Sequence, residues 1–216
     1  MITEEKWNRA FELTMPVIST GIGVLSAALA AMALMRSSPL GQRVFYQDGQ
    51  YLVNVRYGQW HDLRGFVQPS NPDVLAIFSQ YGPDYWSLYD FVCRHVAYKS
   101  EVREHWQFPS ETLARGEGDC EDTSILLTSL LRCVGIDAYT AIGEYLGYGH
   151  AWTTQNGFIY ETTYTRARPI ADPQDYYPYC IFNESEVSEL WPGALGEVFR
   201  LSRDEATKLN LIAQAL

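Results

Sequence analysis

The sequence predicts an α+β domain, one long helix followed by an antiparallel sheet, behind an N-terminal hydrophobic helix. Three stretches carry this reading. In residues 116–135, Gly116 and Gly118 make a turn, Ile125, Leu126, Leu127, Leu130 and Leu131 supply an apolar helical face, and Gly135 stops it. Residues 136–146, 149–155 and 158–163 read as strands, with Asn156-Gly157 as a two-residue type I′ turn between the last two. Residues 16–35 contain no charged side chain.

Size and composition bound the rest. With 216 residues, 47% hydrophobic and 14% aromatic, the chain can build one core plus a short appendage. We divide it into residues 1–43, a hydrophobic helix and linker, and residues 44–216, the globular domain. A net charge of −10 disfavours a nucleic-acid partner, because phosphate binding wants a basic surface. The four cysteines form no CxxC pair and no His cluster accompanies them, so neither a structural zinc site nor any other cofactor is implied.

Taken in order, residues 1–15 read as a short helix of mixed charge. The run PVISTGIGVLSAALAAMALM, residues 16–35, would span ~30 Å as a helix, the thickness of a bilayer core. A membrane anchor is the first reading of it. A signal peptide cut near Ala31-Met32-Ala33 is the second, against which stand the glutamates at the chain start. A buried or amphipathic helix rich in Ala, Gly and Ser is the third. Lys6 and Arg9 on one side balance Arg36 and Arg43 on the other, so orientation stays open. Residues 37–43 read as a linker, and residues 44–58 as a hairpin turning at Gln47-Asp48-Gly49-Gln50. Residues 60–74 look turn-rich, and helices follow at about 73–80 and 84–98, with a further helical turn opening at Phe108-Pro109-Ser110-Glu111. Residues 165–180 look irregular and proline-punctuated, and a closing helix begins after Ser202.

The chemistry concentrates in residues 116–163. Asp119 is an N-cap residue, which makes Cys120 the first residue of the helix. A thiolate there is favoured by the free amides and the helix dipole, and the same amides can hold an oxyanion. Asp119, Glu121 and Asp122 act the other way by crowding the thiol with negative charge. Activation therefore needs a partner that can become cationic, and His150 is the candidate. With the Asn156-Gly157 turn, Trp152 faces Glu161 and His150 faces Thr163, so His150 and Glu161 are diagonal neighbours about 7–8 Å apart at Cα. A carboxylate on the imidazole Nδ1 would orient the ring and stabilise its charged form. Trp106 and Gln107, shortly before the nucleophile, are candidate oxyanion donors through their indole and amide N–H groups.

Gly118-Asp119-Cys120-Glu121-Asp122, Gly149-His150-Ala151-Trp152 and Tyr160-Glu161-Thr162-Thr163 resemble, in order and spacing, the three motifs of the transglutaminase-like superfamily. Trp60-His61-Asp62-Leu63-Arg64 and residues 106–113 resemble the lead-in of prokaryotic members, so the likeness extends over roughly residues 55–165. The resemblance implies a papain-like fold with the catalytic helix packed on an antiparallel sheet, Cys120 as nucleophile, His150 as base and an acidic third member. That position is more often Asp in the family; here it is Glu161, with Asp172 a distant substitute. The resemblance also implies a protein or peptide substrate. Related bacterial proteases bind calcium near the catalytic helix, which makes Glu121 and Asp122 weak calcium candidates.

Plainer roles stand beside these. A cysteine at a helix start is commonly a small buried residue, Glu161 could pair with Arg166 or Arg168, and Trp106 could serve packing. The expected activity is cysteine-dependent hydrolysis of a peptide or isopeptide amide through a thioester. Acyl transfer to an amine is the alternative outcome. A catalytically lapsed, membrane-tethered binding module and an assembly protein joined through residues 16–35 are the readings from other classes.

Overall fold

A computed structural model describes residues 43–56, 58–101, 104–201 and 204–214. The hydrophobic helix expected over residues 16–35 lies outside them. Among the described residues no helix is long and apolar enough to cross a membrane.

The chain begins with a three-stranded antiparallel meander, β1 (Val44–Gln47), β2 (Gln50–Arg56) and β3 (Gln59–Asp62). Asp48 and Gly49 both take positive φ, 51° and 78°, as the expected two-residue hairpin requires. The third strand was not expected. It is four residues long and runs straight into a 3₁₀ turn, Leu63–Phe66, capped by Asp62, whose Oδ1 accepts from the Arg64 N–H at 3.0 Å. So short an element leaves almost no alternation to read.

Helices α1 (Pro72–Tyr81) and α2 (Tyr85–His95) follow, capped by Asn71 and Asp84 side chains that accept first-turn N–H groups. Two-residue strands β4 (Ala97–Tyr98) and β5 (Glu117–Gly118) pair in parallel, with helix α3 (Pro109–Arg115) between them. Then comes α4 (Cys120–Arg132). Strands β6 (Ala138–Tyr145), β7 (Tyr148–Gln155), β8 (Phe158–Tyr160), β9 (Tyr176–Phe182) and β10 (Val187–Glu189) build an antiparallel sheet in the order β10-β9-β6-β7-β8. A short α5 (Ala194–Val198) precedes α6 (Glu205–Gln214).

Two expectations need correction. Residues 176–180 are not irregular: β9 lies inside the sheet, between β10 and β6. Pro178 disguises it, and sits where the β6–β9 register shifts after Ile142, a bulge that tolerates a missing N–H. Gly143 faces that bulge, and a Cβ there would collide with the Tyr177 carbonyl. The last strand is also shorter than expected. Pairing of β7 with β8 ends at Thr153–Tyr160, so Glu161 has already left the sheet.

Helix α4 is the centre of the domain. Leu126, Leu127, Leu130 and Leu131 enter one apolar cluster with Tyr89, Val92 and Trp152, while Ile125 enters a second with Phe66, Trp106 and Phe182. Its buried polar side chains are hydrogen-bonded. Thr128 Oγ1 accepts from Thr140 and meets Thr153, and Ser129 Oγ accepts the Gln68 N–H. A helix gripped on several faces holds its first residue in a fixed place, which is what a nucleophile at that end requires.

Candidate active site

The first turn of α4 is fixed from two sides. A Cβ on Gly118 would lie 2.7 Å from the Asp122 Cβ, so only glycine lets β5 pass this close to the turn. Asp122 accepts the Gln107 backbone N–H at 2.7 Å, the Gln107 Nε2–H at 2.6 Å and the Asp119 N–H at 3.3 Å. On the sheet side, Thr123 Oγ1 meets Thr162 Oγ1 at 2.8 Å and Thr153 Oγ1 donates to the Ser124 carbonyl at 3.0 Å. These bonds seat the Cys120 end of the helix against the strand that carries His150 and the turn that carries Glu161.

This bonding also places the two oxyanion candidates. The Gln107 amide donates to Asp122 and to the Glu117 carbonyl, and the Trp106 indole donates to Glu104 at 2.7 Å from within the second apolar cluster. Both side chains hold the approach to α4; their N–H groups already have protein acceptors. The calcium candidates are committed as well. Asp122 is taken up by three N–H donors, and Glu121 Oε2 accepts from Cys120 Sγ at 2.8 Å. Among the described residues no group of three or more His, Cys, Asp or Glu side chains is placed to hold a metal.

His150 stands on β7 opposite Gly143, among the rings of Tyr145, Trp152 and Tyr176, whose centroids lie 6.0–6.1 Å away. Its Nε2 meets Glu161 Oε2 at 2.7 Å. The expected contact through Nδ1 is therefore reversed. Glu161 leaves the sheet after Tyr160, and the Thr163 N–H and hydroxyl, at 3.0 and 2.6 Å, hold its Oε1. The other oxygen is thereby presented to Nε2. His150 Nδ1 is buried and makes no hydrogen bond among the described residues. With Nε2–H given to the carboxylate, Nδ1 is the nitrogen that can take a proton.

Glu161 is fully buried and accepts a fourth bond, from the Tyr176 hydroxyl at 2.9 Å. Burial alone would raise its pKa, but His150 and the Thr163 donors hold it below the ordinary carboxylate value. Burial drives the Tyr176 phenol far upward, so this residue remains a proton donor to Glu161. Asp172, the alternative third member, accepts instead from Gln174 at the surface.

Around Cys120, burial raises the Asp119 carboxyl well above its usual value, and Asp122 is pushed up to about 8. The raised Asp122 reduces the crowding of negative charge expected from the sequence near neutral pH, and Glu121 is the acid in contact with the thiol. Cys120 and His150 are each 2% exposed and Glu161 is 0% exposed. The other cysteines are also free thiols; burial pushes Cys93 and Cys180 upward, which suits packing.

Residues 85–164, from the start of α2 to just past Glu161, match the family model of the transglutaminase-like superfamily. Over this stretch the chain is similar to the transglutaminase-like core. Curated relatives include the centrosomal protein of 76 kDa from Homo sapiens, 32% identical over 102 residues, and its Danio rerio counterpart, 30% identical over 102 residues. Each match takes in 38% of this chain, which spans only 16% and 15% of those two proteins. Among solved structures, calcium-bound Legionella pneumophila LapG aligns with a TM-score of 0.41 and 16% identity, covering 59% of this chain and 96% of LapG. EGTA-treated LapG aligns at 0.44 and 14%, covering 65% and 92%.

Two residues at the site lie beyond the stretch that matches the transglutaminase-like model, and the sequence reading missed both. Tyr176 was hidden by the misread β9, although Tyr176, Pro178 and Cys180 alternate with Tyr177 and Tyr179 as a strand does. Lys208 on α6 is 1% exposed; its Nζ lies 3.5 Å from Cys120 Sγ and donates to the Gly149 carbonyl at 3.0 Å. Its signal was present: Lys208, Leu211 and Ile212 fall at i, i+3 and i+4, placing a lysine on the apolar stripe of a helix.

Proposed function

We propose that this transglutaminase-like core hydrolyses a peptide or isopeptide amide on a papain-like scaffold, with Cys120 as nucleophile, His150 as base and Glu161 as the orienting acid. The observation that carries the reading is the polarised imidazole: Nε2 bound to a fully buried carboxylate, Nδ1 buried and left for a proton. Cys120 gives its proton to Nδ1, and the thiolate attacks the amide carbonyl. The oxyanion is met by the first-turn backbone amides of α4. As the carbon–nitrogen bond breaks, the imidazolium returns the proton to the leaving amine, and the acyl group stays on sulfur as a thioester. Water, losing a proton to Nδ1, then releases the acid and the thiol.

Gln107 and Trp106 support this reading as positioning residues, through the bonds that hold the segment before α3 and the first turn of α4. Tethering to a membrane through residues 16–35 is a separate proposal, tested by whether the full chain sediments with phospholipid vesicles.

The test is to trap the acyl-enzyme. On exposure to 4-nitrophenyl acetate, intact mass spectrometry should show one acetyl group on the wild type and none on Cys120→Ala. Decay of that adduct in water, unaltered by added cadaverine, supports hydrolysis, and conversion to acetylated cadaverine supports acyl transfer instead. Equal acetylation of the two proteins would remove Cys120 from the chemistry.

A further inference from the structure

A nucleophile can react only with a carbonyl that reaches about 3–3.5 Å from it. That shell at Cys120 is occupied from within the chain, since Lys208 Nζ stands 3.5 Å from Sγ and is fixed there by its bond to the Gly149 carbonyl. The thiol itself donates to Glu121, while His150 Nδ1 has no hydrogen bond among the described residues. The site is therefore covered from within the chain.

We propose that α6 is a cis-acting plug: Lys208 fills the position that a substrate carbonyl must enter, and turnover requires α6 to lift away. The proposal rests on the reading of Cys120 as nucleophile. The helix is suited to the task. Ten residues make a marginal helix by themselves, so its seat depends on packing. That packing comes from Ile212, which is buried in the first apolar cluster, and from the partly buried Leu211. The bond from Lys208 to Gly149 is offset in part by the hydration that its ammonium gives up to be buried and regains on leaving. A covering element at the low-stability end of the fold can open without unfolding the core that carries the site.

Alkylation of Cys120 by iodoacetamide at pH 8, followed by peptide mass spectrometry, tests this on the full chain. Lys208→Ala removes the plugging group, and Ile212→Glu unseats the helix while keeping the lysine. Both should label Cys120 at least about tenfold faster than the wild type. Circular dichroism and thermal melting check that each variant is folded; Leu211→Ser, a milder change on the same face, replaces Ile212→Glu if it is not. Wild-type rates in either variant overturn the proposal. So does slower labelling of Lys208→Ala, which would make Lys208 a stabiliser of the thiolate. Adding His150→Ala to the Ile212→Glu protein separates the two claims. If that change leaves the rate of the uncovered thiol unmoved, the thiolate–imidazole reading fails while the plug stands.

Discussion

Replacing Glu161 by glutamine keeps the shape of the buried carboxylate and removes its charge. Four donors converge on it: His150 Nε2, the Thr163 N–H, the Thr163 hydroxyl and the Tyr176 hydroxyl. A hydrogen bond to a charged group contributes about 1.5–3 kcal/mol and a neutral one about 0.5–1.5, so each of the four weakens. The glutamine NH₂ must also point at one pair of donors, where only a hydroxyl can turn to accept it. Relief from burying a charge offsets part of this loss. We expect a net destabilisation of about 3 kcal/mol, which lowers the urea midpoint by about 1.5 M at a slope of about 2 kcal/mol per molar. The dependence on pH is part of the prediction. The folded pKa of Glu161 is depressed, so its contribution is complete above the unfolded value of about 4.3 and is lost as pH falls through the lower folded value. Urea titrations at pH 7 and at pH 3.5 should show the gap between wild type and Glu161→Gln shrinking on the acid side. A midpoint shift below about 0.5 M at pH 7, or a gap that is constant with pH, would refute the claim that this carboxylate is held ionised by its four donors.

Tyr176→Phe removes one of those donors, and should cost about 1.5–3 kcal/mol in the same titration without abolishing the His150–Glu161 contact. Gly118→Ala forces a methyl onto Asp122 at the start of α4; a cost of about 1–3 kcal/mol should appear as a melting point lower by several degrees. The raised Asp122 acts in the opposite direction to Glu161. Its stabilisation is complete below the unfolded value of about 3.9 and is lost as pH rises through about 8. Wild-type stability should therefore decline between pH 5 and pH 8, and Asp122→Asn should flatten that slope.

Much of the site could be read locally. The apolar face and glycine boundaries of α4 placed Cys120 at a helix start, and Asn156-Gly157 fixed the hairpin that brings His150 near Glu161. The finer geometry could not be read, because it depends on where a strand stops. The pairing rule carried β8 through Thr163, whereas Thr163 instead folds back to hold Glu161, which exchanges the roles of the two imidazole nitrogens. Tyr176 and Lys208 arrive from 15 and 88 positions away from the residues they touch, a separation over which periodicity says nothing. Gln107 shows the same limit: its residue type suggested a donor to substrate, while its neighbours in space made it a support for Asp122.

The most direct measurement is the rate of Cys120 alkylation against pH in the uncovered Ile212→Glu protein, with and without His150→Ala. An imidazole that takes the thiol proton should give the uncovered thiol substantial reactivity well below pH 8, with a marked loss across that range on adding His150→Ala. Superimposable profiles, both rising as an ordinary thiol does near pH 8.5, would contradict the account.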